Sequence, residues 1–107
     1  MIRYRYRIDE AGAFGVEHHF ELATDSTPWH AHAEGFGHSV RLVRGRARLD
    51  FKKAKSVTLT KEETHFNVTR VHRLTADAGD TVVFNRVFPV PDDWSRRVRE
   101  EGEWRCL

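Results

Sequence analysis

Apolar and polar residues alternate with period two along most of this chain, which is the mark of strands with one buried face and one wet face. Ile2, Tyr4, Tyr6 and Ile8 alternate with Arg3, Arg5 and Arg7, and Val16, His18, Phe20 and Leu22 alternate with Glu17, His19 and Glu21. His38, Val40 and Leu42 alternate with Ser39, Arg41 and Val43. After a turn at Arg44-Gly45, Ala47, Leu49 and Phe51 alternate with Arg46, Arg48 and Asp50. Residues 52–55 read as a solvated loop, Val57 and Leu59 as a short strand ending at Thr60, and Lys61-Glu62-Glu63 as a turn. Phe66, Val68, His72 and Leu74 share one face, interrupted by Arg70. Ala78-Gly79-Asp80 then turns into Thr81-Val82-Val83-Phe84, a buried strand. Near the C-terminus the period changes. Asp92 and Asp93 can cap a helix, Trp94 and Val98 lie four apart, and Gly102 can end it. Short strands joined by Gly and Asp turns predict an all-β antiparallel barrel or sandwich. A parallel sheet would need strands that are apolar on both faces.

Composition narrows the picture. A chain of 107 residues fits one domain, residues 1–107, and its 39% hydrophobic content supplies a modest core. The net charge is only +2, which permits an anionic ligand without calling for nucleic acid. The one cysteine, Cys106, excludes an intramolecular disulfide and points to a reducing compartment. Residues 1–7 lack the apolar stretch of a signal peptide, and no run approaches the length of a membrane span. The expectation is a soluble, cytoplasmic protein.

The candidate chemistry sits in Thr27-Pro28-Trp29-His30-Ala31-His32-Ala33-Glu34-Gly35-Phe36-Gly37-His38. Residues i and i+2 of a strand point to one face, so His30 and His32 can converge on one ion. Pro28, Gly35 and Gly37 argue against a helix there. His38, on the next strand, is the candidate third ligand of a divalent metal. A site of neutral imidazoles suits zinc, iron, copper or nickel, and it leaves the full charge on the ion, favouring an anionic substrate or hydroxide. Glu34 is the nearest acid and the candidate catalytic base, with a ligand role or a hydrogen bond to a ring N–H as alternatives. His18 and His72 fall on apolar faces and, with Phe84, are expected to line a substrate pocket, although either histidine could add a ligand or simply sit in the core. Arg3, Arg5 and Arg7 share a face, with Arg41, Arg46 and Arg48 nearby in pattern. They form either an anion-binding patch or cross-strand pairs with Glu17, Glu21 and Asp50.

Residues 25–51 and 74–84 resemble the cupin superfamily. The first cupin motif carries His-x-His, a Glu a few residues on, and a closing Gly. His30-x-His32 and Gly45 match it, His38 stands in the Glu slot, and Thr24 stands where the family has its leading Gly. Gly79-Asp80 resembles the opening of the second motif, but that motif's later positions hold Asn85, Val87, Val90 and Trp94, so its histidine ligand is missing. The resemblance implies a jelly-roll β-barrel, a divalent ion (zinc, iron, nickel or manganese) and a small-molecule substrate. It also implies a homodimer, for which strand 2–8 offers an edge. The reaction classes it opens are dioxygenase, isomerase, cyclase and lyase chemistry; the alternative is a cupin that binds a ligand or partner without turnover.

Overall fold

A computed structural model describes residues 1–32, 37–67 and 69–107; Glu34 and Val68, both singled out in the sequence, lie outside the described residues. The strands are β1 (Ile2–Ile8), β2 (Phe14–Phe20), β3 (Gly37–Arg44), β4 (Ala47–Phe51), β5 (Ala54–Thr58), β6 (Thr64–Phe66), β7 (His72–Ala76), β8 (Thr81–Phe88) and β9 (Arg105–Cys106), with one helix, α1 (Trp94–Glu101), before the last strand. All pairings are antiparallel. One sheet has the order β6-β3-β8-β2-β1-β9 and the other β5-β4-β7. The segment before β3 extends the smaller sheet, because Ser26 bridges Thr75 and His30 bridges His72.

The inward side chains of both sheets meet in one core of Phe20, Val40, Ala47, Leu49, Leu59, Leu74, Ala76 and Val83. Each large apolar side chain fully buried there contributes about 1.5–3 kcal/mol. Gly45 makes the β3–β4 turn possible. Its φ is +83°, and an added Cβ would meet the Thr81 Cα at 2.8 Å.

Several sequence expectations change at this level. Only Lys52 and Lys53 form the turn after β4, and Ala54 and Lys55 already belong to a strand. The single face drawn through Phe66 and His72 divides between two strands in different sheets, β6 and β7. The last strand of the main run continues to Phe88, past Phe84. Strand 2–8 is not a free edge along its length, since Arg3 and Tyr4 pair with β9. The expected helix is present, but Asp93 makes no cap bond; its carboxylate accepts from Arg96 and Arg97 instead, and Gly102 ends the helix with φ −81°, a right-handed value.

The arginine face is neutralised by cross-strand pairs. Register places Arg5 opposite Glu17, and the buried Glu17 carboxylate accepts from Arg5 and Arg7, each at 2.8 Å. Arg3 pairs with Glu21, and Arg41 with Asp9. No described helix is long and apolar enough to cross a membrane.

Candidate metal centre

The imidazoles meet because of strand register. His30 and His72 exchange both backbone hydrogen bonds, His30 N to His72 O at 3.0 Å and His72 N to His30 O at 2.9 Å. Such a pair sets its two side chains beside each other on one face. Their ring centroids are 4.4 Å apart. His32, two residues on, returns to that face, 5.1 Å from His30 and 5.4 Å from His72. The candidate ligand atoms of His30, His32 and His72 all lie within 4.8 Å of one another. His38, on β3, stacks on His32 with centroids 4.4 Å apart.

The second atoms of two of these rings are already committed. His30 Nδ1 lies 2.7 Å from the Pro28 carbonyl, and His72 Nδ1 lies 2.6 Å from the Arg70 carbonyl. A carbonyl only accepts, so each Nδ1 carries the proton and donates. Each Nε2 is left with a free lone pair, the tautomer a metal ligand needs. Burial holds the neighbours neutral as well. The pKa of His38 is pushed down to about 4, first by burial and then by His32, His72 and His30. His32 and His72 are lowered mainly by burial, with His30 adding to both. Clustered neutral imidazoles with oriented lone pairs are a donor set suited to a divalent transition metal.

The cluster opens onto a cavity of about 600 Å³. Its walls include Tyr4, Tyr6, Val16, Leu49, Phe66, Leu74 and Val87, with His18, Thr27, Asn85 and Cys106 among the polar members. No described lining residue is an acid, a lysine or an arginine. His18 Nδ1 is 3.1 Å from Asn85 Nδ2, so the amide donates to it and His18 keeps its proton on Nε2. Burial, with a smaller contribution from His30, lowers the His18 pKa to about 4.

The sequence-derived candidates distribute as follows. His30, His32 and His38 come together, and His18 lines the cavity as expected. His72, expected as a pocket residue, stands inside the imidazole cluster, where its candidate ligand atom lies within 4.8 Å of those of His30 and His32, while His38 stacks on His32. Phe84 does not line the cavity. Val83 and Asn85 face inward, so Phe84 faces away, buried beneath the Arg41 guanidinium 5.0 Å from its ring. Its run, Thr81-Val82-Val83-Phe84, is apolar at three successive positions and therefore gave no indication of which face is which. The signal for His72 was its place on an inward face; the missing part was a pairing across more than forty residues.

No protein-family model matches the chain, and no curated protein matches it in sequence. Solved structures do match. An RmlC-like cupin protein from Desulfovibrio desulfuricans superposes with a TM-score of 0.64 at 13% identity, over 78% of each chain. KdgF from Halomonas sp. gives 0.65 at 16% identity, over 86% of this chain and 82% of that one. The Cupin_2 domain of an XRE family transcriptional regulator from Enterobacter cloacae gives 0.56 at 14% identity, over 81% and 92%. The chain therefore has the cupin fold, an antiparallel jelly-roll barrel with a short C-terminal helix.

Proposed function

We propose that this cupin barrel is a metal-dependent enzyme acting on a small polar or anionic molecule inside its cavity. His30, His32 and His72 would hold a divalent ion, with His38 beside them as a further donor. The observation that carries the reading is the pair of locked rings: Pro28 and Arg70 carbonyls each take an Nδ1 proton and leave the Nε2 atoms of His30 and His72 free. A bound divalent ion supplies Lewis acidity, either polarising a substrate oxygen or activating a bound water or dioxygen. The apolar walls exclude water from the ligand and strengthen every polar contact made there. Because no described lining side chain is an acid, the site favours an anion as the ion's remaining partner. Elemental analysis after purification without chelators tests the reading. It expects one equivalent of a transition metal, and protein that neither retains nor takes up metal would defeat it.

A second reading, ligand binding without turnover, is favoured by one observation. With its imidazoles engaged, the described lining retains no side-chain carboxylate or amine to move a proton. Substitution of His30 and His32 together separates the two: loss of ligand transformation supports the enzyme, and unchanged ligand binding by a stable variant supports the module. The resemblance to other cupins also leads us to propose a homodimer in the cytoplasm. Light scattering showing a monomer at high concentration would refute the dimer.

A further inference from the structure

One polar pair in the cavity, His18 and Asn85, lies outside the imidazole cluster. Asn85 donates to His18 Nδ1, which fixes the His18 proton on Nε2. Both residues line the cavity, and among the described residues neither His18 Nε2 nor Asn85 Oδ1 has a protein hydrogen-bond partner. Neither is a closed-off orphan, for the buried unsatisfied atoms lie elsewhere, on Arg3 and Ser39. A neutral ring N–H beside an amide oxygen is a donor–acceptor pair waiting for a ligand. Strand register places it on the larger sheet: His18 pairs with Val83 and Asn85 with Val40. The His30–His72 pair belongs to the opposite sheet. A ligand in the cavity therefore has the His30–His72 pair on one side and this pair on another, with apolar side chains among the rest of the lining.

We propose that His18 and Asn85 form the ligand-recognition element of the cavity and select a small carboxylate with an apolar body. The inference rests on the metal-centre reading, because it is the ion's uncompensated charge that favours an anion over a neutral ligand. His18 Nε2–H donates to an oxygen of the ligand. Asn85 holds that ring's tautomer and offers Oδ1 to a ligand hydroxyl or to the water that accompanies it. Val16, Leu49, Phe66 and Val87 take the apolar body. His18 and Asn85 are positioning residues and do not ligate the ion.

The test uses the full chain, zinc, and the pair benzoate and benzamide, followed by titration calorimetry. Zinc is titrated first; if the unsubstituted protein binds none, the metal-centre reading fails and this inference with it. In zinc-loaded protein, benzoate is expected to bind at least about tenfold tighter than benzamide, since only the anion answers the charge of the ion. His18→Leu is expected to weaken benzoate binding about tenfold with zinc affinity unchanged, whereas His18→Gln, which restores an N–H donor, recovers it. Asn85→Leu is the second variant, should His18→Leu fail to fold, and is expected to weaken benzoate binding in the same way. Zinc binding with no benzoate preference, or benzoate affinity that survives both leucine variants, overturns the inference while leaving the metal centre intact.

Discussion

Replacing Asp50 with Asn tests the electrostatics of the smaller sheet. Asp50 is 5% exposed on the outer face of β4, and its carboxylate accepts from Ser56 Oγ at 2.5 Å, Thr75 Oγ at 2.7 Å, Arg48 Nε at 2.9 Å and Arg73 Nε at 3.0 Å. Burial alone would raise its pKa. The hydrogen bonds from Ser56, Thr75, Arg73 and Arg48 outweigh it and hold the group at about 2, against an ordinary 3.8. At about 1.4 kcal/mol per pH unit, that lowering means the charged form contributes about 2–3 kcal/mol to folding. The folded pKa lies below the unfolded one, so this stabilisation is fully present above about pH 4 and disappears as the pH falls through 2. Asn keeps the shape, offers one acceptor to four donors and removes the charge. Urea unfolding of metal-free protein, followed by tryptophan fluorescence from pH 7 to pH 2, measures the effect. Asp50→Asn is expected to lose about 2–3 kcal/mol at pH 7, with the gap to the parent closing towards pH 2. Equal midpoints at pH 7, or a gap that stays constant down to pH 2, would refute the reasoning.

Thr24 is a β-branched residue at φ +74°, in the slot where the cupin motif has glycine. Thr24→Gly is expected to raise stability by about 1 kcal/mol in the same unfolding assay, and a loss would contradict the strain argument. His72→Ala is expected to weaken zinc binding by about 100-fold or more, whereas His65→Ala, at an exposed site on β6, leaves it unchanged. Calorimetry reads both, and equal effects would remove His72 from the centre. The lowered pKa values of His18 and His38 mean that the unfolded chain binds protons first. Metal-free protein should therefore lose stability as the pH falls from 6.5 towards 4, and a flat profile across that window would show those rings to be solvated.

The alternation of apolar and polar residues was enough to locate the early strands and their inward faces, because β2, β3 and β4 keep polar side chains mainly on the outward face, even where Glu17, Ser39 and Asp50 are themselves buried there. It failed where that condition fails. β5 is exposed at every position, so Ala54 and Lys55 look like loop; β8 is buried at its first five, so Phe84 carries no mark of direction. His30, His32 and His38 were legible from local spacing. His72 was not, because its place depends on residue 30 pairing with residue 72, a register that no local pattern encodes. The arginine stripe was ambiguous for the same reason: whether Arg5 binds a ligand or Glu17 depends on which residue lies across from it.

The imidazole cluster as a metal centre is tested most directly by a crystal structure of the purified protein with anomalous scattering recorded at the transition-metal edges. One anomalous peak is expected, about 2.0–2.2 Å from Nε2 of His30, His32 and His72. A fully loaded crystal with its peak elsewhere, or no peak after soaking in zinc, would contradict it.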